Sequence, residues 1–151
     1  MLRICWVAIH RSASMCDYSL HAVATRPAEV ADMLVSTKFS STITRGFASV
    51  DDPHVAVCLR PGTEIAFEDD VRVHGRIFSR NVRDRLARFR QIDVGQSHHH
   101  HDALEFSNGQ IVLVTDLKPG QRAIVLQLPV STVVEKTRTR EPAAPLAGII
   151  P

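Results

Sequence analysis

Through the middle of the chain, short apolar runs rich in β-branched residues recur, each bounded by Pro, Gly, Asn or Asp, a pattern that predicts strands rather than helices. Residues 54–59 read as a buried strand. Arg60-Pro61-Gly62-Thr63 then supplies Pro at the second and Gly at the third place of a type II turn, and residues 64–67 resume an extended run, predicting a hairpin. Residues 102–106 and 110–115 flank Ser107-Asn108-Gly109, and Asn-Gly tolerates the positive φ of tight hairpins. Leu117-Lys118-Pro119-Gly120 turns again into residues 122–128, which is expected to complete a meander.

Helical spacing occurs once. Val82, Leu86 and Phe89 stand at i, i+4 and i+7 behind Asn81 as a potential N-cap, which predicts one short helix over 81–89. The expected fold is all-β with that single helix, a small antiparallel β-barrel that closes to protect its edges. An internal echo fits a barrel of related pieces: Leu59-Arg60-Pro61-Gly62-Thr63 and Leu117-Lys118-Pro119-Gly120-Gln121 share a Leu-basic-Pro-Gly-polar order, each entering a strand. Outside this pattern, residues 1–14 show no period and residues 130–151 mix Thr, Arg, Pro and Ala. The reading is a disordered or non-native extension over 1–15, one β-rich domain over 16–129 and a disordered tail over 130–151, with Met15 as the expected start.

At 151 residues and 44% apolar content the chain can bury a core without disulfides. A net charge of +2 is too mild to imply a nucleic-acid or membrane partner from bulk charge alone. Three cysteines, Cys5, Cys16 and Cys58, are an odd set that points to a reducing compartment, so a cytoplasmic location is expected. Residues 4–9 are too short an apolar run to span a bilayer.

The segment Asp116-Leu117-Lys118-Pro119-Gly120-Gln121-Arg122-Ala123-Ile124-Val125 resembles the opening of the small barrel in bacterial ferrous-iron transport accessory proteins, which implies a Src-homology-3-like fold. Cys16-Asp17-Tyr18-Ser19-Leu20-His21, Thr44-Arg45-Gly46-Phe47, Ala56-Val57-Cys58-Leu59 and His101-Asp102-Ala103-Leu104-Glu105-Phe106 together resemble a small bacterial family with no assigned activity. That likeness transfers no function.

The sharpest candidate chemistry is the run His98-His99-His100-His101-Asp102. Neutral imidazole is a common ligand for transition metals such as zinc, iron or nickel, which want three or four protein donors gathered in space. In an extended segment His99 and His101 share one face, and His98, His100 and Asp102 the other. Cys16 and His21, with Cys58, are the candidate additional ligands. No Cys-x-x-Cys or His-Glu-x-x-His spacing accompanies the run, and the competing reading is a solvated loop with weak, compositional affinity for metal.

Seven arginines between positions 72 and 90 face a single acid, Asp84. Arg80, Arg83, Arg85, Arg88 and Arg90 are the candidates for a nucleic-acid or acidic-protein contact, with Phe78 and Phe89 the nearby aromatics. The competing reading is a surface network with Glu64, Glu68, Asp69 and Asp70. Cys58 between Val57 and Leu59 reads as a buried small hydrophobe, and Glu64 and Glu105 as solvent-facing carboxylates. No phosphate loop, dinucleotide fingerprint or nucleophile elbow is present. The expectation is a small binding module holding a transition metal through the histidine tract. The alternatives are an arginine-based module for nucleic acid or an acidic protein, and a metal-assisted enzyme of cupin type.

Overall fold

The computed structural model describes residues 23–39, 45–97 and 99–130. The expected N-terminal extension and most of the expected tail lie outside them. Strands make up 47% of the structure and helical turns 3%, so the chain is mostly β. Nine strands form one sheet in the order β1 (Ala24–Pro27), β4 (Val55–Cys58), β3 (Arg45–Ser49), β2 (Met33–Lys38), β11 (Arg122–Gln127), β5 (Glu64–Phe67), β8 (Leu86–Gln91), β9 (Asp102–Phe106) and β10 (Ile111–Leu113). β6 (Arg72–Val73) and β7 (Arg80–Asn81) pair separately. All pairings are antiparallel except β1 with β4, which is parallel. Among the described residues no helix is long and apolar enough to cross a membrane.

Four expectations are corrected. The barrel does not close: the ladder is an open order ending at β1 and β10. Residues 81–89 form no helix, because burial there alternates with period two. Ala87 and Phe89 are buried while Leu86, Arg88 and Arg90 are exposed, and the apparent helical spacing came from counting Leu86 as a core residue. The only helical element among the described residues is a three-residue 3-10 turn, Val114–Asp116. The turn after β4 forms, with Thr63 N–H donating to Arg60 O at 2.9 Å and Gly62 at φ 95°. Its strands, however, do not pair with each other; β5 crosses to lie between β11 and β8. Likewise β11 leaves β10 and inserts between β2 and β5, so the expected meander is not completed. The β9–β10 hairpin is as expected, with Phe106 N–H donating to Gln110 O at 2.8 Å and Gly109 alone in the loop at positive φ.

These two crossings follow one rule. Exchanging β2, β3, β4 and β5 for β8, β9, β10 and β11 reverses the order of the eight strands other than β1 onto itself. The registers of the β2–β3 and β8–β9 pairs agree residue for residue. Leu34 opposite Ser49 matches Ala87 opposite Phe106, and this continues over five pairs to Lys38 opposite Arg45 and Gln91 opposite Asp102. Arg122 opposite Val35 matches Glu64 opposite Arg88. Ala66 faces Ile124 across the β5–β11 pair, marking a pseudo-two-fold axis. The echoed turns occupy equivalent places: Gly62 N–H donates to Phe89 O and Phe89 N–H to Thr63 O, as Gly120 N–H donates to Ser36 O and Ser36 N–H to Gln121 O, at 2.7–2.8 Å.

Alternation sends one side chain in two to a single core shared by both halves, including Leu34, Phe47, Val57, Ile65, Phe67, Ala87, Leu104, Phe106, Val112, Ala123 and Val125. Phe67 sits between Phe47 and Phe106, with ring centroids 6.3 Å from each. Arg45 of β3 donates to Thr115 O at 3.1 Å and Leu117 O at 3.3 Å, tying one half to the 3-10 turn of the other. A smaller cluster of Phe39, Ala48 and Ala56 packs with Val23 and Val35.

Equivalent turns need not be equally sensitive. A Cβ at Gly62 would meet Pro129 Cβ at 3.1 Å, whereas one at Gly120 (φ 85°) meets nothing within 4 Å. Gly120→Ala is expected to cost about 1 kcal/mol for the left-handed conformation alone. Gly62→Ala carries the same conformational cost and must also displace Pro129. Paired denaturant melts check the order, and equal losses would contradict it.

Candidate binding surface

The arginines divide into two groups. On the outer face of the β5–β8–β9 ladder, Arg88 meets Glu64 and Arg90 meets Glu105, both at 2.6 Å, and Arg85 meets Asp70 at 3.3 Å and donates to Glu68 O. Cross-strand register sets Arg88 directly opposite Glu64, and Arg90 reaches Glu105 diagonally, since Glu105 lies opposite Arg88. The hydrogen bond to Glu64 raises the Arg88 pKa above its ordinary value. This group is a charge-paired surface, and it engages Glu64 and Glu105, the two carboxylates that the sequence places toward solvent.

Arg72, Arg76, Arg80 and Arg83 make no ion pair among the described residues. All four lie on the segment that links β5 to β8, folded into the β6–β7 hairpin. Its root is firmly held: His74 N–H donates to Asp116 O at 2.8 Å, Lys118 N–H to Arg72 O at 3.0 Å and Val82 N–H to Val71 O at 2.8 Å. Gln121 accepts from Arg72 N–H at 2.6 Å and donates to Arg72 O at 2.8 Å. The tip carries Ile77 and Phe78, 84% and 81% exposed, between Arg76 and Arg80. Gly75 permits the bend, because a Cβ there would collide with the Phe78 carbonyl. Between this tip and β10 lies a cavity of about 580 Å³ lined by residues 73–80, Ile111, Val112 and Asp116.

Asp84 fixes the far end of the linker. One carboxylate oxygen accepts from Arg85 N–H (2.7 Å) and Leu86 N–H (3.2 Å), the other from Ser107 Oγ–H (2.6 Å) and Asn108 N–H (2.9 Å). The Ser107 hydrogen bond, with the backbone donors, holds the carboxyl below its ordinary pKa. Arg83 precedes it at φ 57°.

Among the described residues the chain bends at His99 and enters no strand before Asp102. Residues 93–97 turn, with Gln96 N–H donating to Asp93 O at 2.9 Å, and β9 begins only at Asp102. His99 and His100 are exposed; His101 is half-buried with Nδ1 2.9 Å from Ile92 O. Asp102 accepts from Gln91 Nε2 at 3.4 Å. His98, Cys16 and His21 lie outside the described residues. Among the described residues no three His, Cys, Asp or Glu side chains gather to hold a metal. Cys58 is buried as expected, but it is disulfide-bonded rather than a free thiol.

The seven arginines read from the sequence as one group; in the structure they divide at Asp84, with Arg85, Arg88 and Arg90 ion-paired and Arg72, Arg76, Arg80 and Arg83 without ion pairs among the described residues. The exposed Ile77-Phe78 pair lies inside the second group, between Arg76 and Arg80. No family model matches the chain, and neither curated proteins nor solved structures give a match.

Proposed function

We propose that this protein is a binding module whose contact surface is the β6–β7 hairpin, and that its partner is an acidic protein. The single observation that carries this reading is that Arg72, Arg76, Arg80 and Arg83, without ion pairs among the described residues, all lie on one hairpin linker, with Arg76 and Arg80 flanking its exposed Ile77-Phe78 tip above a hydrogen-bonded root. Unneutralised guanidinium groups attract carboxylates and phosphates alike. An apolar pair between them favours a partner with its own apolar side chains over a bare phosphate backbone, because burying both adds the larger non-electrostatic gain.

Fluorescence titration with labelled polyglutamate is expected to show saturable binding that weakens steeply with added salt. The double variant R76E/R80E is expected to weaken it by about a hundredfold or more, since each reversal exchanges an attraction for a repulsion. Unchanged affinity in the variant, or much tighter binding of single-stranded DNA than of polyglutamate, would overturn the acidic-protein reading.

A transition-metal site is a second reading, favoured by the His101 ring. Its Nδ1 lies against the Ile92 carbonyl, which selects the tautomer that leaves Nε2 as a donor for zinc, iron or nickel. Partners would come from His98, His99, His100, Asp102, Cys16 and His21. Untagged protein purified without a metal column is expected on this reading to retain near-stoichiometric metal by elemental analysis. Substoichiometric metal removed by dialysis would contradict it. The expected Src-homology-3-like or cupin-like closure, with a metal-assisted enzyme, finds less support because the sheet is open and no three donors converge among the described residues.

A further inference from the structure

The pseudo-two-fold axis identifies what one half of the molecule has and the other lacks. In the first half the outer edge of β4 is covered by β1, which runs parallel to it, with Ala24 opposite Val55 and Ala28 N–H donating to Cys58 O at 3.0 Å. β10 is the equivalent of β4, and among the described residues its outer edge pairs with no strand. The equivalence can be followed upstream of the two meanders. Val125 N–H donates to Asp32 O ahead of β2, and Phe67 N–H donates to Arg85 O ahead of β8. Counting back equally from Asp32 and Arg85 sets β1 against residues 77–80. Those residues do not lie on β10. They are drawn off into the β6–β7 hairpin, and the cavity of about 580 Å³ stands between them and the β10 edge.

We infer that this groove accepts an extended acidic segment of the partner protein as an added strand, running parallel to β10 in the place that β1 takes on β4. The inference rests on the acidic-protein reading above and names how that partner is held. Backbone polarity fits. Phe106 N–H bonds to Gln110 O, so by antiparallel alternation Val112 faces β9 while Ile111 turns its N–H and C=O, and Leu113 its N–H, to the open edge. Cys58, the equivalent of Leu113, uses its carbonyl toward Ala28, whereas Leu113 is the N-cap of the 3-10 turn and its carbonyl serves that turn. Side chains fit as well: a strand in the groove has Ile111, Ile77 and Phe78 for its apolar residues and Arg76 and Arg80 for its acids, with Asp116 the one carboxylate on the lining. Main-chain pairing supplies affinity and alternate side chains supply selectivity, the general mode of strand addition.

The probe is a labelled peptide of alternating Glu and Val, titrated against the whole protein. Two backbone-methylated versions carry N-methyl groups on the Glu amides or on the Val amides, with identical charge. One phase is expected to lose binding about tenfold or more and the other to keep it, since only one set of amides faces β10. Ile111→Pro deletes an edge-facing N–H on an edge strand, where Pro is tolerated, and is expected to weaken the unmodified peptide by a similar factor while leaving polyglutamate binding intact. A spin label on the peptide N-terminus is expected to broaden the Ile111 amide more than that of Leu113, as a parallel strand requires. Equal loss in both methylated phases, or an unaffected Ile111→Pro, with polyglutamate binding retained, overturns strand addition and leaves the arginine surface standing. Loss of polyglutamate binding as well overturns the reading beneath it. A dimer in sedimentation that Ile111→Pro dissociates overturns the proposal in favour of a second copy at this edge.

Discussion

Phe67→Ala is expected to destabilise the fold by about 3–5 kcal/mol, a large share of the roughly 5–15 kcal/mol that holds a domain of this size together. Phe67 is buried on β5 next to the pseudo-two-fold axis, and its ring contacts Phe47 from one half and Phe106 from the other. Both aromatic contacts disappear with it, as does the apolar area of the ring itself. The remaining space cannot close, because its walls belong to a sheet whose registers are fixed on both sides by strands β11 and β8. A cavity left in such a wall keeps its full cost. Urea unfolding followed by circular dichroism measures the loss; a shift under 1.5 kcal/mol would mean that Phe67 does not join the two halves. Phe39→Ala provides the contrast, since Phe39 belongs to the smaller cluster with Ala48 and Ala56 and its loss leaves the shared core intact.

Asp84→Ala is expected to cost about 2 kcal/mol at neutral pH, less than four charge-assisted hydrogen bonds would suggest because the carboxylate is half-exposed. Its two oxygens join the end of the arginine linker to the tip of the β9–β10 hairpin, so the variant is also expected to speed amide exchange at Ser107 and Asn108. The sign of the pH dependence follows from the lowered folded-state pKa. The unfolded chain binds the proton first, so the contribution is present above the unfolded carboxyl value and is lost as pH falls through the folded one. Wild type and variant are therefore expected to differ most near neutrality and to converge in acid. Asp32, lowered by its bidentate contact with Arg26, titrates in the same direction in both proteins and cancels from the difference. A gap that persists undiminished into acid would show that the ionised carboxylate is not what holds the two elements.

What could be read from the chain was local. Ser107-Asn108-Gly109 gave a hairpin because one turn and its flanking strands contain all the needed information. Pro61-Gly62 and Pro119-Gly120 likewise gave turns, but not what their strands would pair with. β5 and β11 each leave the meander that precedes them and cross the axis, and that exchange is decided by burial of Ile65, Phe67, Ala123 and Val125 in the common core. The repeated Leu-basic-Pro-Gly-polar order was the one trace of it. Residues 81–89 misled because apolar Leu86 stands on the solvent side of a strand, so three apolar positions simulated a helical stripe. For the candidate surface, the arginines were visible as composition, while their partition depended on cross-strand neighbours. Arg88 and Arg90 find Glu64 and Glu105 only once β8 lies between β5 and β9. The histidine tract was the most conspicuous feature of the sequence, and its described members, His99, His100 and His101, stand in a loop ahead of β9.

An acidic partner is predicted to land on the β6–β7 hairpin. Amide chemical-shift mapping of the whole protein titrated with polyglutamate tests this most directly. Perturbations are predicted at residues 72–83, fading as salt is added. Shifts confined to residues 99–101, or to the Arg88–Glu64 and Arg90–Glu105 face, would contradict it.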